Sequence, residues 1–156
     1  MQYRGWYTTK DHLSELSKIR DSTPWYKRLI QRYNIPVGFP YVLQAGSQIV
    51  APCISVVSLS IHEQVLSMVS LENQAEGMPT AKPVNFRSDI SRSISIKDIA
   101  QQELIPWKSP VFGWSKRNWL SITLLSGETL LIGVNEMPKQ LNDAKTTKLS
   151  DALNAL

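Results

Sequence analysis

Few side chains in this sequence have both the type and the spacing for chemistry. His62-Glu63 begins like a zinc-protease motif, whose metal needs a second histidine one helical turn on; Leu66 stands there instead. His12, the only other histidine, lies far upstream, so no metal site is expected. The lone Cys53 can make neither an internal disulfide nor a thiolate metal cluster. It sits in the apolar run Ile49-Val-Ala-Pro-Cys-Ile-Ser-Val-Val57, which suits a small buried hydrophobe better than a nucleophile. The seven glycines are scattered and form neither a phosphate-binding loop nor a Gly-x-Ser-x-Gly elbow. Asp89, Asp98 and Glu103 could in principle pair as carboxylates, but solvated strand ends account for them more simply. The expectation is no catalytic residue and no cofactor, which leans against an enzyme. A small enzyme with an unrecognised carboxylate site is the alternative.

Binding chemistry is better represented. The stretch from Trp107 to Asn118 holds three aromatics (Trp107, Phe112, Trp114) and three cations (Lys108, Lys116, Arg117) around Pro110 and Gly113. As a loop at the mouth of a barrel it could hold an anion through Lys116 and Arg117 while its aromatics enter a partner. The competing reading packs Trp107 and Trp114 over the barrel end, with the cations keeping the loop soluble; this plainer reading is favoured. A second mixture of aromatics and cations lies near the N-terminus, where Tyr3, Trp6, Tyr7, Trp25, Tyr26 and Tyr33 mingle with Arg4, Lys27, Arg28 and Arg32. Nucleic-acid stacking or a membrane surface would use such residues, but nucleic acid calls for more cations than these. Trp25, Leu29 and Tyr33 recur at the spacing of a packed helix face, so packing is again favoured.

These residues need a scaffold, and composition bounds it. The chain has 156 residues, 42% of them apolar, enough for one core in one domain or in one domain with a helical extension. Its net charge of +4 is mildly basic and does not by itself imply an anionic partner. An oxidised disulfide framework is excluded. Met1–Tyr7 lacks the apolar region of a signal peptide, and no stretch approaches the roughly 18 apolar residues of a membrane span. A cytoplasmic protein, at most peripheral to a membrane, is expected.

Local patterns suggest the elements. Leu13, Leu16 and Ile19 give a helix an apolar stripe after a cap at Thr9 or Asp11. Thr23-Pro24 would start a second helix, because proline loses nothing at the first helical position. Two prolines and a glycine within 34–40 break the chain, so 1–40 is expected as an N-terminal helical arm and 41–156 as a β domain. Ile49–Leu59 reads as an edge or bulged strand because of Pro52. Ser60–Leu71 fits helix or strand spacing, with strand preferred and Ile61, Val65, Val69 and Leu71 on one face. A polar loop over Glu72–Pro83 follows. Ser91–Lys97 alternates as a half-buried strand does, and another strand should run from Asp98 to Ile105. A hairpin over Trp119–Val134 would turn at Ser126-Gly127, apolar on both faces near Leu124, Leu125, Leu130 and Leu131. A helix starting at Asn135 or Glu136 would carry Leu141, Leu149, Leu153 and Leu156, with Thr146 and Thr147 weakening its middle.

The order of the last elements resembles the bacterial pleckstrin-homology-like (PH-like) domains. Ile94-Ser-Ile96-Lys-Asp98-Ile99, Trp119-Leu-Ser-Ile122-Thr-Leu124, the Ser126-Gly127 turn and a terminal helix near Pro138 carry the likeness, over roughly the last 65 residues. The resemblance implies an α+β, mainly antiparallel fold: a bent barrel or sandwich with one end plugged by the C-terminal helix. Eukaryotic relatives bind inositol phospholipids or protein tails, whereas bacterial members seldom have an assigned ligand. The functional expectation is a non-catalytic binding or scaffolding module. Its partner would be a protein, the chain itself included, with weak contact to an anionic surface as a lesser role and nucleic acid disfavoured. Its surface would be the open barrel edge or Trp107, Lys108, Phe112, Trp114, Lys116 and Arg117. Self-assembly through an edge strand near Pro52 is a further alternative.

Overall fold

Strand β1 (Gln2–Thr9) alternates its side chains between two interiors: Trp6 enters one apolar cluster and Tyr7 another. The computed structural model describes residues 2–22, 29–32, 41–45, 48–71, 84–108, 116–137, 140–141 and 143–156. Helix α1 (Lys10–Ser22) follows β1 directly, capped by Thr9, whose Oγ1 accepts the His12 N–H at 3.1 Å. Its stripe is the expected one, with Leu16 fully buried against Val50 and Ile19.

Strands β2 (Leu29–Arg32), β3 (Tyr41–Ala45) and β4 (Gln48–Val50) form a small antiparallel sheet. Leu29–Arg32 is therefore a strand rather than part of a second helix, because Leu29 to Arg32 pair in register with Gln44 to Tyr41. Pairing with a partner strand overrides the helical spacing there. Trp25, Tyr26 and Tyr33 lie outside the described residues.

The main sheet comprises β5 (Ser55–His62), β6 (Val65–Ser70), β7 (Ser91–Ser95), β8 (Ile99–Lys108), β9 (Lys116–Leu124) and β10 (Thr129–Met137) together with β1. Every pairing is antiparallel, in the order β7-β6-β5-β1-β10-β9-β8. β1, before residue 40, is thus flanked by β5 and β10, both after it, so strand pairing crosses the break expected at 34–40. β7 and β8 are opposite edges, yet only the 3-10 turn Ile96–Asp98 joins them. The sheet must curl until its edges meet at that corner. Two hydrogen bonds fasten the corner: Ile96 N–H to the Gln64 carbonyl at 2.9 Å, and Leu125 N–H to the Asp98 carbonyl at 2.8 Å.

Three sequence expectations change here. β5 is interior, not an edge, and the break at Pro52 falls in the unpaired segment between β4 and β5. Ser60–Leu71 is a strand region but turns back at Glu63-Gln64, both left-handed with φ of 46° and 63°. A two-residue turn pairs His62 with Val65 and brings Leu59 opposite Met68, so Leu66 and Met68 are buried while Val69 is exposed. The last helix, α2 (Asp143–Asn154), starts well past Glu136, because β10 stays paired with β1 at Asn135 and then with β11 (Gln140–Leu141). Leu141 is consequently a strand residue. The Glu72–Pro83 loop lies outside the described residues.

Two cores result. The inner one gathers Val57, Leu59, Leu66, Met68, Leu120, Ile122, Leu130 and Ile132, and α2 closes it with Leu149 and Leu153. Thr146, in the middle of α2, is buried, and its Oγ1 accepts the Val134 N–H at 3.1 Å. On the other face Trp6, Val56, Trp119 and Leu131 lie beneath Ala51, Cys53 and Phe86. The expected hairpin contributes to both cores, as β1 and β5 also do, although Leu125 at its turn is exposed. The architecture is α+β: a curled, mostly antiparallel sheet with two helices, one of them C-terminal.

Candidate functional site

The aromatic and basic stretch is partly strand. Pro106, Trp107 and Lys108 end β8 and pair with Asn118, Arg117 and Lys116 at the start of β9. Trp107 is therefore opposite Arg117, and Lys108 opposite Lys116, on a hairpin arm rather than in an open loop. Phe112 and Trp114 lie outside the described residues.

β8 itself is the unusual element. It has ten residues and pairs only with β9; among the described residues nothing pairs with its other edge. None of the side chains from Ile99 to Pro106 is buried, although Ile99, Leu104 and Ile105 are apolar and Leu104 is 37% exposed. The register slips between Ile99 and Gln101, a bulge that bends the strand at the corner. Beside this bend lies a groove of about 270 Å³, lined by Ile96, Ile99, Ala100, Gln101 and Gln102 from the sheet and by Leu153, Asn154 and Leu156 from the end of α2. Gln102 spans it: its Nε2 donates to the Ser150 carbonyl at 3.2 Å and to Asn154 Oδ1. Leu156, expected as a core position, is 49% exposed at the groove. The groove thus mixes apolar side chains with the amides of Gln101, Gln102 and Asn154, and Gln102 crosses it to α2.

A second concavity, about 380 Å³, opens among Tyr7, Ile54, Arg87, Asp89, Arg92 and Glu128. Arg92 grips Glu128 with two hydrogen bonds of 2.8 and 2.6 Å and donates to the Tyr7 hydroxyl at 3.1 Å. Arg92 holds the Glu128 carboxyl below the usual carboxylate range, and burial pushes the Tyr7 hydroxyl up against the lowering pull of Arg92. Arg87 and Asp89 form a second, exposed pair at 2.9 Å that lowers the Asp89 carboxyl. Each guanidinium therefore already holds a carboxylate. β7 and the start of β10 are far apart in strand order, so the Arg92–Glu128 contact works as a fastening across the curl.

The remaining chemistry-bearing groups are structural. Asn85 receives the Ala51 N–H on Oδ1 at 2.9 Å and donates from Nδ2 to the Ala51 and Cys53 carbonyls at 2.7 and 3.1 Å, beside His12 Nε2. Cys53 is fully buried, which pushes its thiol up and leaves it the small hydrophobe its surroundings suggest. His62 is exposed at the end of β5. Asp89, Asp98 and Glu103 sit on three different elements, and no hydrogen bond or ion pair joins them. Among the described residues no three His, Cys, Asp or Glu side chains could hold a metal ion, and no helix is long and apolar enough to cross a membrane.

The sequence alone points to the open barrel edge or to Trp107–Asn118, at and beyond the far end of β8, and does not single out the groove at its start. Its residues are Ile, Ala, Gln and Leu, types with no chemical signature. The available signal was Leu156, an apolar position beyond the last full helical turn. No protein-family model matches this sequence, and neither a curated protein nor a solved structure shows significant similarity to it.

Proposed function

We propose that the chain is a non-catalytic binding module of the PH-like type, which takes up an extended segment of a protein partner along the free edge of β8. One observation carries the reading: a ten-residue strand with apolar side chains has no buried residue between Ile99 and Pro106 and no second neighbour among the described residues. An edge of this kind offers backbone donors and acceptors to an added strand, and the adjacent groove offers a place for its side chains. Soluble proteins usually blunt such edges, and the Ile99–Gln101 bulge and Pro106 do so only near the two ends of β8. The curled antiparallel sheet and the C-terminal helix packed over its inner core support the PH-like reading. The neutralised guanidiniums of the Arg92 cleft argue for a protein segment over an anionic headgroup.

The test is selection of peptides from a random library on the immobilised protein, followed by mapping of their backbone amide shifts. Binders should perturb β8 and the end of α2. Binders that map instead to the Arg92 cleft, or a library that yields none, would contradict the reading. Sedimentation of the free protein as a β8-paired dimer would make the chain itself the partner.

A further inference from the structure

We infer that His12 is a fixed hydrogen donor, and that its Nε2–H latches helix α1 to the segment covering Trp6, Val56, Trp119 and Leu131. That cover includes Ala51-Pro52-Cys53, an irregular stretch between β4 and β5 that is buried throughout. Buried backbone without a strand partner must find its hydrogen bonds elsewhere. Pro52 has no N–H, and its carbonyl accepts the Thr8 hydroxyl at 2.7 Å. The next residue, Ile54, donates its N–H to the Tyr7 carbonyl at 2.9 Å. Asn85, between exposed Val84 and buried Phe86, serves Ala51 and Cys53.

Counting hydrogens places the one on His12. Asn85 Oδ1 accepts the Ala51 N–H at 2.9 Å, which fixes the orientation of the amide. Its two Nδ2 hydrogens go to the Ala51 and Cys53 carbonyls at 2.7 and 3.1 Å, so both are engaged. His12 Nε2 lies 2.8 Å from the Ala51 carbonyl oxygen and 3.0 Å from Asn85 Nδ2. A bare Nε2 would face that oxygen with no hydrogen between two lone pairs. Taking an Asn85 hydrogen instead would leave a buried carbonyl short of a donor. With a hydrogen on Nε2, the Ala51 oxygen receives one donor on each lone pair and every contact is satisfied. The neutral ring is therefore the Nε2–H form, with its lone pair on Nδ1. His12 also donates its backbone N–H to Thr9 Oγ1, so the first turn of α1 is held at main chain and ring together. An Nε2 bearing this hydrogen has no lone pair for a metal ion or for a substrate proton.

The experiment is long-range nitrogen–proton NMR of the imidazole rings in the whole protein at about pH 8, where an ordinary histidine is neutral. His12 should show a hydrogen on Nε2 that gives its own signal, exchanges slowly with water and cross-relaxes with the Asn85 side-chain amide. Exposed His62 should show no such signal. His12→Ala should speed exchange of the Ala51 amide about tenfold, the loss of roughly one hydrogen bond. His12→Gln, whose side-chain amide can donate in place of Nε2, should return it to within about threefold of the unmodified protein. A hydrogen on Nδ1, or a ring hydrogen exchanging as fast as that of His62, would overturn the inference. So would a glutamine variant no slower in Ala51 exchange than the alanine variant. Should the alanine variant fail to fold, the ring spectrum of the unmodified protein decides alone.

Discussion

Strand β8 and the β9–β10 hairpin are adjacent in one sheet, yet their apolar side chains differ in burial: those of β8 reach the cores only through the partly buried Ile99 and Ile105. In the hairpin, Leu120, Ile122, Leu130 and Ile132 are fully buried in the inner core, and Trp119 and Leu131 are buried on the other face. In β8 not one side chain from Ile99 to Pro106 is buried. The difference comes from position. The hairpin lies between β1 and β8 and is covered by α2 on one side and by Ala51, Cys53 and Phe86 on the other, whereas β8 pairs only with β9 among the described residues. The lesson is that apolar content does not report its own purpose. The same residue types are fully buried in one strand and half-exposed or exposed in the next.

The comparison can be broken from its strongest side. Ile122→Ala should cost about 2–5 kcal/mol in urea unfolding, since the lost methyl groups leave a cavity that a two-sided sheet cannot collapse. A loss below about 1 kcal/mol would mean the hairpin is not the core described. Gly5→Ala should cost about 1–3 kcal/mol, because the added methyl must fit into packed surroundings. Its Cβ would stand 2.8 Å from the Gly133 carbonyl oxygen and 2.9 Å from Leu59 Cδ1, and the carbonyl is backbone that cannot swing aside. Unchanged unfolding would show that β1 and β10 can separate at that point.

Acid sharpens the comparison at the fastening. Glu128 titrates below its unfolded value because Arg92 hydrogen-bonds its charged form. Its contribution is complete above the unfolded carboxylate value near 4.3 and is lost as pH falls through the lower folded value. With side chains 31% and 36% exposed, the pair is screened. Glu128→Gln should therefore flatten the acid limb of stability by about 1 kcal/mol or less. An identical acid limb in the variant would show that the pair does not fasten the curl. The smallest effect belongs to β8: Leu104→Ala should change stability by no more than about 0.5 kcal/mol, as at an uncommitted surface position. A loss of 2 kcal/mol, roughly that of a core truncation, would place β8 with the hairpin and erase the contrast.

Much of the sheet was legible in the residues, and the reasons separate cleanly. The Trp119–Leu124 and Thr129–Val134 arms with Gly127 at φ 90° carry a local signal, since alternation and a left-handed turn residue act over a few positions. The cap at Thr9 and the α1 stripe are local in the same way. The Glu63-Gln64 turn was hidden because neither residue is a turn former, and a missed turn inverts which face of the following strand is buried. β1 was hidden because Gln2–Thr9 gains its strand character from β5 and β10, partners far along the chain. The candidate site was least legible of all. Ile99, Gln102 and Leu153 meet only because the sheet curls and α2 returns to it, which no local pattern records.

Hydrogen exchange of the backbone amides, read residue by residue by NMR, tests the central claim most directly. In the free protein, alternate amides of β8 between Gln101 and Lys108 should exchange fast, while β9 amides, bonded between two strands, stay protected. Addition of a peptide selected on the immobilised protein should slow the fast β8 set and leave β9 unchanged. Uniform protection along β8 in the free protein, or fast β8 exchange that persists with the peptide bound, would contradict the account of β8 as an open docking edge.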